Sequence, residues 1–196
     1  MRLVAADLDE IVDLLEIGAS DLDAGGENGG FSLLDHGLQC ARLARVRHPE
    51  DLELQVAALV HDIGQTLTDN DEAAHGRVGA DFVAPVLGPR VAALVELHVP
   101  AKRYLVTTDD DYSQRLSPAS VASLELQGGR MTAVEVEQFE QRPWSDDAVT
   151  LRRYDEAAKI AGEAVEPLES WLPTLREVAG RVSVDATVRG AAHERS

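Results

Sequence analysis

The stretch Leu59-Val60-His61-Asp62-Ile63-Gly64 constrains this chain most, because it sets an imidazole and a carboxylate side by side inside an apolar helical run. Leu52, Val56, Leu59, Val60 and Ile63 recur at helical spacing and make one buried stripe, which predicts a helix that Gly64 stops at its C′ position. Consecutive residues on a helix point about 100° apart. His61 and Asp62 therefore share no narrow stripe, but both can reach one ion in the interior of a bundle.

The rest of the chain repeats the theme. A cap at Ser32 with Asp35 opens a helix in which Leu33, His36, Cys40, Leu43 and Ala44 keep to one face. Asp69 to Asp71 cap another, where His75, Val78, Gly79 and Phe82 share a face. Pro85 and Pro89 bracket a break, and Val91, Leu94, Val95 and His98 follow before Pro100 ends that run. Ala148, Leu151, Arg152, Asp155 and Ala158 put a carboxylate on an apolar face near the C-terminal end. His48, beside Pro49, and His193, in a polar tail, are expected to face solvent.

Further boundaries come from capping chemistry. Asp7-x-x-Glu10 opens a first helix ending near Gly18, Ser117-Pro118 opens one that runs to Gly128, and Thr132-x-x-Glu135 opens the next. Asp146 and Asp147 suit the first turn of another, where the helix dipole favours acidic groups. A last helix is expected near 165–178, broken by Pro167 and Pro173. Residues 19–30 carry four glycines among acidic residues and read as a loop. No alternating pattern of strand length appears. The expectation is an all-α single domain, a helical bundle over 1–180, with a polar, poorly ordered tail at 181–196.

Six buried ionisable groups without a shared counter-charge would be costly. A metal centre built from His36, His61, Asp62, His75, His98 and Asp155 supplies that charge. Imidazole and carboxylate donors without a thiolate pair suit iron, manganese or zinc and not a closed structural zinc site. The donors suffice for two ions, and Asp62, with two oxygens, is the natural bridge.

Charge limits the partners. With 18 Lys plus Arg against 35 Asp plus Glu, the chain carries a formal net charge of -17. Such a surface repels nucleic acid and anionic membranes. A small anionic substrate needs cations gathered inside a pocket. Lys102, four residues past His98, and Arg152, three before Asp155, are the candidates, Arg152 with the fork to grip an oxyanion in bidentate fashion. Ser117, Ser120, Ser123 and Gln127 recur along one helix face and offer neutral donors. The single Cys40 excludes an internal disulfide framework, and no leader or membrane-length apolar run is apparent, so a soluble cytoplasmic protein is expected.

The order His36, His61-Asp62, Asp155 is the H…HD…D pattern of the HD-domain superfamily, with His75 and His98 as the additions of its two-metal members. Longer strings are more specific: Leu33-Leu34-Asp35-His36-Gly37-Leu38-Gln39-Cys40-Ala41, His98-Val99-Pro100-Ala101-Lys102-Arg103-Tyr104-Leu105, Leu116-Ser117 through Leu126-Gln127-Gly128-Gly129, and Arg152-Arg153-Tyr154-Asp155-Glu156-Ala157-Ala158-Lys159. From about Leu14 to about Leu168 the chain resembles the mixed-valent diiron oxygenases that cleave the C–P bond of 1-hydroxyphosphonates, the family typified by 2-amino-1-hydroxyethylphosphonate dioxygenase. Myo-inositol oxygenase is a more distant likeness.

The resemblance implies one iron held by His36, His61, Asp62 and Asp155, and a second held by Asp62, His75 and His98. It also implies O2 as co-substrate, a small organophosphonate as substrate, and phosphate and a carboxylic acid as products. Two positions depart from the family pattern. Gln65 stands where a histidine commonly follows the HD-x-G turn, and the 19–30 loop offers Glu27 but no tyrosine. Two other readings share the same ligands: an HD phosphohydrolase acting on a phosphate ester or nucleotide, and a non-catalytic helical binding domain.

Overall fold

The computed structural model describes residues 3–19, 32–68 and 71–193, with side chains as far as residue 184. The described residues form helices joined by short turns, with no strand among them. Helix α1 (Leu8–Ile17) starts where Asp7 accepts the Glu10 N–H at 3.1 Å, and α2 (Leu33–Arg47) opens on a complete capping box between Ser32 and Asp35. Helices α3 (Leu52–Val60) and α4 (Ile63–Thr68) flank a tight turn. Helix α5 (His75–Thr108) is followed by α6 (Asp110–Gln114), α7 (Pro118–Leu126), α8 (Ala133–Glu140) and α9 (Ser145–Ala157). A 3-10 turn at Leu168–Trp171 leads into α10 (Leu172–His193).

Helix α5 is the axis of the molecule. It packs against α3, α4, α9 and α10, while α2 lies across α3 and α9. Val56, Val60, Val91, Leu94, Val95, Leu151 and Leu175 are buried where these elements meet. One window of α5, with mean hydropathy 1.5, is long and apolar enough to cross a membrane by length and composition, a run that the sequence reading did not register. Half of that window is buried inside the bundle, and α5 is its core helix.

Three boundaries differ from expectation. Pro100 does not end its helix: α5 continues to Thr108, while the break expected between Pro85 and Pro89 falls at Gly88 with φ 86°. A residue with a side chain is strained at that φ, so the kink belongs to glycine. The last helix starts after Pro167 and extends to His193, beyond the limit at 178 that the sequence suggested. Pro173 does not interrupt it, because a proline in the first turn removes only an N–H that has no helical partner.

The third difference bears on the site. Gly64 is not a helix stop but lies inside α4, and the chain breaks two residues earlier, with His61 as the C-cap of α3. Glycine is needed there for a steric reason: an ideal Cβ on Gly64 would stand 2.0 Å from the His75 carbonyl oxygen and 2.8 Å from the Gly79 nitrogen. The bare backbone lets α4 close against the start of α5. Gly64→Ala is expected to destabilise the fold by about 2 kcal/mol or more through overpacking. Urea unfolding checks this: the midpoint should fall with the slope unchanged.

Candidate metal centre

His36 from α2, His61 and Asp62 from the α3–α4 turn, His75 and His98 from α5, and Asp155 from α9 converge at the centre of the bundle. The four histidines are no more than 2% exposed, and Asp155 is 3% exposed. Three rings are oriented by their own helices. Nδ1 of His61 lies 2.9 Å from the Ala58 carbonyl, Nδ1 of His75 lies 3.1 Å from that of Glu72, and Nδ1 of His98 lies 2.6 Å from that of Val95. A carbonyl only accepts, so each Nδ1 carries a proton and Nε2 of each ring is the atom turned to the centre.

The inward atoms have the spacing of a shared ion. Asp62 Oδ1 is 3.4 Å from His75 Nε2 and 3.3 Å from His98 Nε2. Its other oxygen, Oδ2, is 3.4 Å from His61 Nε2 and 3.9 Å from His36 Nε2. Asp155 Oδ1 lies 3.2 Å from His36 Nε2, and Oδ2 lies 3.8 Å from His61 Nε2. Donors about 2.0–2.2 Å from one ion stand roughly 3 to 3.6 Å apart.

Two further observations bear on the fit. Nε2 of His61 is buried with no hydrogen bond among the described residues. The Nε2 atoms of His75 and His98 are 2.9 Å apart, a separation that requires a proton or a cation to hold two lone pairs together. The six residues therefore fit a metal centre in which Asp62 faces two histidines with each oxygen.

The electrostatics agree. Burial alone would raise the Asp62 carboxyl, but the nearby charge of His61 keeps it well below the usual range. At Asp155 burial is likewise overcome, by Arg152 and Lys159. Burial opposes a charge on His61, yet Asp62 and Asp155 lift it to about 9. Burial brings His98 down to about 4, helped by the positive charge of its histidine neighbours. A proton on His61 helps to balance the carboxylates in the metal-free protein, and a bound cation takes its place.

A cavity of about 60 Å³ opens over these ligands. Lys102, Arg152, Gln65, Ser120, Ser123 and Gln127 line it. Lys102 is 3% exposed and donates to the Ser123 hydroxyl; among the described residues no carboxylate is within ion-pair distance of it. Burial, with the nearby Arg152 charge, lowers its ammonium to about 8.

Arg152 does something other than what its sequence position suggested. Its guanidinium pairs with Asp155 and, at 2.6 Å, with Glu156, and Nε donates to the Tyr112 hydroxyl at 2.7 Å. The fork is occupied by protein partners, so Arg152 acts as the buttress of Asp155. Ser117 is not a lining residue; its hydroxyl caps α7, accepting the Ser120 N–H at 3.2 Å. Glu27 lies outside the described residues.

The parts played by four residues escaped the sequence reading. Glu72 and Lys159 line the cavity, Glu156 holds Arg152, and Cys40 Sγ is 3.8 Å from His36 Nε2. Cys40, His36 and His61 form a second group with metal-binding spacing. Burial, then the Asp155 and Asp62 charges, push the Cys40 thiol well above its ordinary range, which makes it a poor ligand. Its place four residues after His36 was visible in the sequence; the roles of Glu72 and Lys159 depend on tertiary contacts.

A helical bundle that joins one histidine, a His-Asp pair and a distant aspartate around a metal-binding centre, with two more histidines beside it, defines an HD-domain metalloenzyme. The HD domain family model matches residues 33–126. The chain is 44% identical over 147 residues to hydroxymethylphosphonate dioxygenase of Gimesia maris, covering 70% of this chain and 73% of that one. It is 37% identical over 138 residues to [1-hydroxy-2-(trimethylamino)ethyl]phosphonate dioxygenase (glycine-betaine-forming) of Leisingera caerulea, covering 66% and 70%. An uncharacterised protein of Acanthamoeba polyphaga mimivirus is 29% identical over 182 residues, covering 87% and 81%. The chain belongs to the HD-domain phosphonate dioxygenases.

Two substitutions separate bridge from buttress. Asp62→Ala is expected to abolish binding of both metals, whereas Arg152→Leu should retain the sites with an affinity roughly 10–100-fold lower, as for other residues that orient a ligand. Equilibrium dialysis with metal analysis measures both; an Asp62→Ala protein that keeps one ion per chain contradicts the bridging arrangement.

Proposed function

We propose that this protein is a diiron oxygenase that uses O2 to oxidise and cleave the C–P bond of a small 1-hydroxyphosphonate, releasing phosphate and a carboxylic acid. The observation that carries this reading is Asp62 with a pair of imidazoles at each oxygen, beside a buried lysine that lacks a carboxylate partner among the described residues. His36, His61, Asp62 and Asp155 would hold one iron, and Asp62, His75 and His98 the other. Three protein ligands leave the second ion open to exogenous groups. When bound, the iron pair supplies O2 activation and a Lewis-acid hold on the substrate.

The remaining work falls to the chain's own residues. Lys102 offers a positive charge in a site where burial strengthens it. Ser123 and Ser120 offer hydroxyls, Ser120 with the Lys159 ammonium 2.8 Å from its Oγ. Gln65 adds an uncharged donor where relatives of this kind commonly carry a histidine. These groups gather an anion that the net charge of -17 would otherwise repel. The reaction balances without another reductant: the C–P bond, one C–H bond of the hydroxyl-bearing carbon and the O–O bond break, one oxygen atom joins carbon, the other joins phosphorus, and the hydrogen ends as an acidic proton of the products.

HD phosphohydrolases share the core ligands, but the two named relatives are dioxygenases, which favours oxidation. The iron-loaded protein should release phosphate from hydroxymethylphosphonate in air and stop under anaerobic conditions. Release independent of O2, or activity confined to phosphate esters, contradicts the proposal.

Lys102 gives a pH signature. Its ammonium is charged below about 8 and neutral above. Phosphonate capture is therefore supported at neutral pH and weakens as pH rises through that value, by up to about tenfold per unit in kcat/KM. Lys102→Arg keeps the charge and should remove this alkaline limb. A limb unchanged in the variant assigns it to another group.

A further inference from the structure

Building on the anion-capturing cavity of the oxygenase reading, we propose that Arg103, which does not line that cavity, is the positioning residue of its donor wall: the guanidinium fixes the C-terminal end of α7 and with it the places from which Ser123 and Gln127 meet a phosphonate. The need for such a residue follows from α7 itself. Of its residues only Ser120 is buried, Val121 and Leu126 are exposed, and Leu124 packs on the small cluster of Leu105, Val106 and Tyr112. A short helix that buries so little apolar surface is placed by its polar ties.

Those ties differ along the helix. At its start, Glu156 accepts the Ser117 N–H at 3.0 Å and the Ser120 hydroxyl at 2.9 Å. Further on, Lys102 donates to Ser123, and Gln127 Nε2 donates to Glu72 at 2.9 Å. A phosphonate competes for Lys102, Ser123 and Gln127, so these two bonds do not hold the helix once the site is filled. Arg103 follows Lys102 on α5 and points about 100° away from it, onto the end of α7.

That end is shaped to receive a guanidinium. Gly128 and Gly129 have φ of 101° and 69°, and their N–H groups return to the carbonyls of Glu125 and Leu124 at 3.2 and 2.9 Å. This closure satisfies the helix end and leaves the two glycine carbonyls to outside donors. Arg103 supplies them: Nε donates to the Gly129 carbonyl at 2.9 Å, and a terminal nitrogen lies 3.4 Å from that of Gly128. An ideal Cβ on Gly128 would stand 3.4 Å from Arg103 Cζ, so the turn and the guanidinium lie in contact. The same terminal nitrogen donates to Glu135 at 2.7 Å, and Glu135 is itself held by the Thr132 N–H and hydroxyl at the start of α8. A planar fork serves these acceptors together, which an ammonium on a flexible stem does less well.

The test compares wild type, Arg103→Ala and Arg103→Lys. Calorimetry measures methylphosphonate binding to the iron-loaded protein, KM and kcat are measured on hydroxymethylphosphonate, and amide hydrogen exchange is followed along the chain. Both variants should keep two metal ions per chain, because no candidate ligand lies on α7. Arg103→Ala should weaken methylphosphonate binding about tenfold or more, as expected when positioned groups shift by about 1 Å. KM should rise in step, with a smaller change in kcat. Amides of residues 118–127 should exchange about tenfold faster or more, while those of α9 keep their protection. Arg103→Lys should recover part of both the binding and the protection.

Arg103→Ala with wild-type phosphonate affinity overturns the proposal, as does weakened binding with unchanged exchange in α7. Exchange that rises throughout the protein, or loss of metal in either variant, makes Arg103 a general stabiliser and overturns it as well. Affinity and exchange keep the test independent of catalysis: absence of phosphate release from wild type counts against the oxygenase, while methylphosphonate binding and α7 exchange still decide the part of Arg103.

Discussion

The structure depends on one carboxylate. Asp62 turns Oδ1 toward His75 and His98 and Oδ2 toward His61 and His36, in a core where an isolated charge would cost many kcal/mol. Each feature around it makes that arrangement tolerable. The α3 helix stops at Val60 so that His61 and Asp62 sit on a turn, and Gly64 brings α4 close enough for His75 to reach the same carboxylate. Three of the imidazoles are fixed by carbonyls of their own helices, which prevents the rings from rotating away when the centre is empty.

The cations divide into two kinds. Arg152 and Lys159 neutralise Asp155 and Glu156, a structural duty that keeps a buried ligand ionised. Lys102 has no such carboxylate partner among the described residues, and its charge faces the cavity. A protein with a strongly acidic composition thus keeps a buried positive charge where a small dianion needs it. This division is the physical basis for assigning metal support to Arg152 and substrate capture to Lys102.

Much of this was legible in the sequence because it rests on local rules. Capping pairs such as Ser32 with Asp35 and Thr132 with Glu135 start helices at the expected residues, and the three- and four-residue spacings put His36, His75, His98 and Asp155 on inward faces. What depends on contacts between distant segments was not legible. Gly64 reads as a stop because nothing local reveals the His75 carbonyl pressed against it, and Pro100 reads as a terminus because the packing that carries α5 through it is tertiary. Arg152 was assigned to substrate because Glu156 and Tyr112 do not announce themselves as its partners, and Glu72 was passed over because its relation to Gln127 spans 55 residues.

The central claim is that Asp62 joins two metal ions, and diffraction from iron-loaded crystals at the iron absorption edge tests it most directly. The account predicts two anomalous peaks roughly 3.5–4 Å apart, one on each side of the Asp62 carboxylate. A single peak, or a second ion ligated by Cys40 with Asp62 bound to only one metal, would contradict it.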